Sequence, residues 1–294
     1  MRKRNFFDFK RIGPCEETIK RTWSELGQAL AIKEFSYNDL ERALQTTYLR
    51  VFDDLLTNCH ELFDVQFSKL ISEGTCLVRA ARVNAEDKTD YERFIPKSQY
   101  IKSANRFSPA GVEWLYLALG SEELYDGELL TAERCALCEC RAQKDDSFAI
   151  CKFAGNNAFE KAIIADLTIA DGKTYDDINL EFEQESQKYV DDQIIKIIYT
   201  GQKTPERTLE IERVIKTWAA KTYSKLLSQQ IFVPVDSSDR DLVYAPFQCM
   251  ANYFMSKGYS GIVYSSTVYP NGRNIVLFDK SMAVPVGDIK TLVI

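Results

Sequence analysis

Residues 105–119 read NRFSPAGVEWLYLAL. The first part, Ser-Pro-Ala-Gly, is turn chemistry: proline presets φ, and glycine accepts backbone conformations closed to other residues. The second part, Trp114 to Leu119, is a short apolar run carrying one tyrosine, which reads as a buried strand. Arg106 stands just before the turn. A guanidinium does not lose its proton, so an arginine this close to a core strand requires acceptors, water or a bound anion.

Further runs of the same kind flank this one. CLVRAARV (76–83), SFAICKFA (147–154), AIIADLT (162–168), GIVY (261–264) and NIVLF (274–278) are bounded by polar or Gly/Pro punctuation and read as strands, with IKTLVI (289–294) as an edge strand. Pro270-Asn271-Gly272 marks the turn between two of them. Helical spacing dominates elsewhere. Ile19, Trp23, Leu26 and Leu30 share one face over 16–33, and a capping signal at Ser36–Asp39 opens a helix over 37–72 with one break, stopped at Gly74. Residues 121–139 hold a helix, 172–230 are mostly helical from a cap at Thr204-Pro205, and 245–257 form a helix opened by Pro246. Residues 84–104 read as a long loop. The chain is therefore α+β, with a helical segment over 1–74 and a sheet-containing domain over 75–294.

Composition narrows the function. With 45% hydrophobic residues the chain builds a true core, and 43 acidic against 37 basic side chains, a net charge of -6, argue against general nucleic-acid binding. No apolar run reaches the roughly 20 residues a membrane helix needs, and MRKRNFFDFKR lacks the apolar stretch of a secretory signal. The expectation is a cytoplasmic chain whose eight cysteines are thiols, with Arg2, Lys3, Arg4, Lys10 and Arg11 in a solvated tail. Cys135, Cys138, Cys140 and Cys151 begin like a zinc site, but a second ligand pair is missing and the single histidine, His60, lies far upstream. They read as buried small hydrophobes, and no metal is expected.

Four blocks place polar side chains on apolar elements: LVRAARV (77–83), NRFSPAGVEWLYLAL, CALCECR (135–141) and YSSTVYPNGRNIVLF (264–278). Arg79, Arg82, Arg106, Glu139 and Ser265 or Ser266 are the candidates they supply. Singly, each fits a surface or salt-bridged residue. In order and wording together, they resemble the RES domain, a family of bacterial NAD+-degrading toxins. That family's (apolar)-x-Arg strand is matched by LVRA, its Arg-(aromatic)-Ser-Pro-x-Gly loop by RFSPAG, and its Leu-Tyr-x-Ala strand by LYLA with Tyr116. The Ala-Leu-x-Glu helix is matched by CALCE with Glu139, the strand ending Asp-Leu-Thr by Asp166-Leu167-Thr168, and the C-terminal motifs by Tyr244 with Gln248, GIVYSS and GRNIVLF. The resemblance spans about 75–280. It departs from the family at SEELYDGELLTAER (121–134), an insertion that offers Glu128 or Glu133 in place of Glu139, and at Asn105, where the family often has glycine.

The resemblance implies a mixed-sheet fold like that of ADP-ribosyltransferases and cleavage of the nicotinamide–ribose bond of NAD+, with inorganic phosphate as acceptor. It implies Glu139 beside the ribose, Arg79 and Arg106 on phosphate groups, Tyr116 against nicotinamide or ribose, and Ser266 as a hydrogen-bond donor. Arg82, Ser265, Gln248 and Asn274 follow as substrate-binding residues. No Gly-rich phosphate loop occurs, so NAD+ enters as substrate and no cofactor is expected. A neighbouring helix-turn-helix antitoxin is the implied partner, and the helical extension over 1–74 is a candidate for self-control, trigger recognition or assembly into a homo-oligomer. Water or a macromolecule as acceptor, and a domain that binds a nucleotide or partner without turnover, remain open alternatives.

Overall fold

Leu115, Leu117 and Leu119 turn to one side of strand β3 (Leu115–Ser121), while Tyr116 and Ala118 turn to the other, the period-two pattern of a strand buried on both faces. In the computed structural model, which describes residues 12–72, 74–84, 89–124, 129–200, 206–232 and 240–294, β3 lies at the centre of a mixed sheet. The chain runs through α1 (Ile12–Ala31), α2 (Leu40–Ala43), α3 (Thr47–Phe63), β1 (Asp64–Gln66), α4 (Phe67–Leu70) and β2 (Thr75–Arg82) to β3. It continues as α5 (Thr131–Glu139), β4 (Ser147–Gly155), β5 (Ile163–Asp166), α6 (Tyr175–Thr200), α7 (Glu206–Gln230), α8 (Arg240–Ser256), β6 (Gly261–Ser265), β7 (Arg273–Leu277) and β8 (Ala283–Val293). The sheet order is β1-β5-β6-β7-β3-β2-β4-β8. Among the described strands only β5 and β6 run parallel, so the α+β reading holds, and the C-terminal run is the edge strand.

One face of the sheet carries two separate helical covers. Over β5, β6 and β7, residues Ala165, Ile262, Tyr264 and Val276 pack in a single core with α1, α3, α7 and α8. Over β2 and β4, Val78, Ala80, Phe148 and Ile150 pack against α5. The opposite face is closed by Phe67 of α4, Phe94 and Met282. Between the two covers the sheet itself opens. The β2–β3 ladder ends at Val78↔Ala118, whereas β2 stays paired with β4 out to Arg82↔Phe148 and β3 stays paired with β7 from Leu115↔Leu277. Past Val78 the two strands part, and Arg79 is the first residue of the fork.

Several boundaries move from their sequence positions for physical reasons. The helix expected over 37–72 is broken by Thr46, whose hydroxyl accepts the Leu49 N–H and starts α3 afresh. It ends at Phe63 because Phe63 and Phe67, which one helix would hold on the same side, are buried in cores on opposite faces of the sheet. The strand β1 carries the chain across. The helix expected over 121–139 shrinks to Thr131–Glu139, since Ser121 still pairs in β3 and Leu124 bridges Leu130. Pro246 lies inside α8 instead of opening it, at the α1 contact where a Cβ on Gly27 would sit 3.5 Å from its ring. Residues 89–104 hold two short 3-10 turns, Tyr91–Arg93 and Ser98–Tyr100. The basic N-terminal tail and the Thr204-Pro205 cap lie outside the described residues. Among the described residues, no helix is long and apolar enough to cross a membrane.

Gly261 shows how tightly the central strands are set. A Cβ there would lie 2.5 Å from the Val276 carbonyl oxygen, a backbone atom of the paired strand that cannot swing away. Gly261→Ala is expected to lower the unfolding free energy by about 1–3 kcal/mol, measured by urea denaturation.

Candidate active site

The fork opens into a cavity of about 450 Å³. Val78, Arg79 and Ala80 of β2 line it with Tyr116 and Ala118 of β3, Tyr264 of β6, Asn274 of β7 and the C-terminal end of α5. Of the residues singled out from sequence, Arg79, Arg106, Tyr116, Glu139 and Asn274 meet here, and Ser266 joins them through a hydrogen bond to Glu139.

The loop over 105–111 is anchored by its aromatic residue. Phe107 is fully buried, with ring centroids 4.9 Å from Tyr264, 5.9 Å from Phe247 and 6.2 Å from Phe232. The turn closes around it: the Asn105 N–H donates to Ser108 O at 2.8 Å, and Gly111, at φ 80°, donates its N–H to Ile101 O at 3.0 Å. With Phe107 pointing into the core, Arg106 is delivered to the cavity. Its guanidinium lies 5.2 Å from the centre of the Phe247 ring and donates from Nη2 to the Thr267 hydroxyl at 3.2 Å. Buried Ser108 holds the Tyr116 hydroxyl at 2.9 Å. Burial raises the pKa of the Tyr116 and Tyr264 phenols well above the usual tyrosine range, so both are neutral walls at physiological pH.

Glu139 is the last residue of α5, where the partial negative charge of the helix terminus disfavours a carboxylate. Two donors offset this. The Ser266 hydroxyl and the Asn274 Nδ2 both donate to Glu139 Oε1, at 2.7 and 2.6 Å. Each donor is itself oriented: the Ser266 oxygen accepts the Tyr269 N–H at 3.0 Å, and Asn274 Oδ1 takes the Cys135 thiol at 3.8 Å, which turns the amide nitrogen toward the carboxylate. Gly272 permits this close set, since a Cβ there would meet Tyr269 at 2.6 Å and Cys135 Sγ at 2.8 Å. Among the described residues nothing donates to Oε2 of Glu139, so that oxygen is open to a ligand. Across the fork, half-buried Arg79 donates from Nη1 to Phe94 O at 3.0 Å. Burial lowers the Arg79 pKa, and the group remains a cation, as arginines do.

Three expected site residues are not brought to the cavity. Arg82, near the far end of β2, pairs with Asp146 at 2.8 Å and lies over the Phe148 ring. Ser265 is the last residue of β6 and turns the opposite way from its neighbours. Its hydroxyl donates to Asp171 at 2.9 and 3.0 Å, where burial pushes the carboxyl pKa up, and it meets Ser228. Gln248 is buried within α8 and does not line the cavity. Of the alternative acids, Glu133 caps the other end of α5, accepting the Leu130 N–H at 3.0 Å and Lys290 at 3.3 Å, about 9 Å of helix away from Glu139. Glu128 lies outside the described residues. His60 bonds Asp64 at the opposite edge of the sheet, which leaves Ser266 without a histidine base. Arg141 and Thr267 also line the cavity without having been assigned there from the sequence, and of the motif pair Tyr244 and Gln248 it is Tyr244 that lines it. A second cavity, about 470 Å³ between α6 and α7, is lined by Lys173, Glu181 and Lys221, whose charges are already paired with one another.

No family model matches the chain, and no curated protein matches it. Among solved structures it is similar to the M. tuberculosis MbcT-MbcA toxin-antitoxin complex, over 82% of this chain and 91% of that chain, at 8% identity and a TM-score of 0.29. A likeness that distant fixes neither family nor activity.

The two glutamates of α5 are separable by stability. Glu133→Ala is expected to cost about 1–3 kcal/mol, because a buried capping carboxylate is lost, whereas Glu139→Gln removes a charge from the wrong helix end and is expected to leave stability within about 1 kcal/mol of the parent. Phe107→Ala, which empties the loop's anchor, is expected to cost about 3–5 kcal/mol. Chemical denaturation of the purified variants reads all three.

Proposed function

We propose that this chain degrades NAD+ by breaking its nicotinamide–ribose bond and passing the ADP-ribosyl group to inorganic phosphate, in the role of a toxin or defence effector. The observation that carries the reading is one carboxylate, Glu139, held by Ser266 and Asn274 through a single oxygen, in a cavity that also presents Arg79 and Arg106 and tyrosine walls. Scission of an N-glycosidic bond builds positive charge on the ribose, and a fixed carboxylate stabilises that charge.

In this reading Oε2 of Glu139 accepts a ribose hydroxyl and faces the developing oxocarbenium ion. Tyr116 and Tyr264 offer flat apolar faces to the nicotinamide. The bond between C1′ and the ring nitrogen breaks with its electron pair leaving on neutral nicotinamide, and a phosphate oxygen then bonds C1′ to form ADP-ribose 1-phosphate. Arg79 and Arg106 carry the anionic oxygens, for which guanidiniums supply paired donors. Ser266 orients Glu139 and does not attack, since its proton is given to that carboxylate. A helix-turn-helix antitoxin that covers the cavity mouth, and self-association of the chain, belong to the same proposal.

The test is to mix the protein with NAD+, with and without phosphate, and to follow products by NMR and mass spectrometry. Nicotinamide and ADP-ribose 1-phosphate are expected. Free ADP-ribose would instead mark water as acceptor, and a mass shift on a macromolecule would mark transfer. Glu139→Gln is expected to lower kcat about 100-fold or more, and Arg106→Ala to abolish NAD+ loss while the protein stays folded. NAD+ left intact by a folded sample at every phosphate concentration overturns the proposal.

A further inference from the structure

Two residues beyond Glu139 the chain breaks a second local rule. Arg141 adopts φ 51°, the left-handed region in which a side chain is strained and which, just past a helix, glycine or asparagine ordinarily occupies. The end of α5 demands that shape from the backbone alone. Arg141 donates its N–H to Cys138 O at 2.9 Å and Ala142 donates to Leu137 O at 3.2 Å, the paired closure that turns a helix off. Glycine would close it with less strain. The strained arginine nevertheless lines the cavity beside Cys140 and Glu139. Lys33 closes α1 with the same shape, at φ 56°, so the conformation alone marks no site; what sets Arg141 apart is that its strained position faces a cavity holding a carboxylate and two further guanidiniums.

We propose that Arg141 is a third binding residue of this cavity and grips the pyrophosphate of a nucleoside diphosphate group. Arg141 is exposed and Arg79 half-buried. Glu139 is exposed as well, so the carboxylate and Arg141 stand together at the cavity mouth with Arg79 further in, and a ligand whose ribose meets Glu139 brings its pyrophosphate past these guanidiniums. The identity of the ligand rests on the NAD+ reading; the anion site does not. A cation at the end of α5 also suits the helix terminus, a service lysine would perform equally well, whereas paired donors to one phosphate are particular to arginine.

Wild type, Arg141→Gly and Arg141→Lys are compared by titration calorimetry against ADP-ribose and against inorganic pyrophosphate, with thermal unfolding run alongside. Arg141→Gly is expected to unfold within about 4 °C of wild type and to bind both probes about tenfold more weakly or worse. Arg141→Lys is expected to recover only part of the loss. Should the glycine variant fail to fold, Arg141→Asn, also tolerant of positive φ, carries the same comparison. Equal affinity of variant and wild type for both probes overturns the proposal, as does a wild type that binds neither. Arginine-dependent binding of pyrophosphate without any NAD+ loss would support Arg141 as an anion-binding residue while ending the NAD+ reading.

Discussion

The end of the β2–β3 ladder at Val78↔Ala118 is the constraint on which the site depends. Two central strands that stayed paired to their ends would leave a continuous sheet with no room between the helical covers. By parting while each keeps its outer partner, they open a cavity without losing the pairing that holds them in place. Arg79 enters at the parting point, and its guanidinium is held by the carbonyl of Phe94, in the segment that closes the opposite face.

Around this opening the chain departs from local preference several times within a few ångströms. Glu139 ends a helix that would prefer a cation there, Arg141 takes a glycine conformation, and Asn274 is buried on a central strand among apolar residues. Each departure is compensated in place: Glu139 by two donors, Asn274 by the carboxylate and a thiol, and Arg141 by the paired closure of α5. Unfavourable local choices that are individually compensated and collectively turned toward one cavity are the pattern expected where function, not stability, sets the residues.

Aromatic packing gives the polar groups their precision. Phe107, Phe232, Phe247 and Tyr264 form one buried cluster that joins the arginine loop, the end of α7, α8 and the central strand β6. Phe247 also meets Trp23 of α1 at 4.8 Å, so the helices at the N-terminal end of the chain brace the same cluster. Arg106 thus rests on a surface assembled from widely separated parts of the sequence.

How much of this was legible beforehand follows from the range of each interaction. The α+β class, the core strands, and Arg79, Arg106 and Glu139 as polar side chains on or beside apolar elements were visible in the sequence, because period and punctuation are local properties of the chain; Tyr116 and Asn274 entered as site residues only through the resemblance. Spacing from Tyr264 favoured Ser266 over Ser265 without deciding between them; the last residue of β6 and the one after it face opposite ways, and the strand end decides that Ser266 reaches Glu139. Arg82 and Gln248 are plausible by type, but one is taken by Asp146 and the other is buried in α8. Arg141 was hidden for the converse reason, since its left-handed turn exists only once α5 has ended against the sheet. The sequence by itself determined which elements form and which side chains interrupt them. Only the tertiary structure decided which interruptions converge, because the ladder end that makes the cavity is set by pairing between segments distant along the chain.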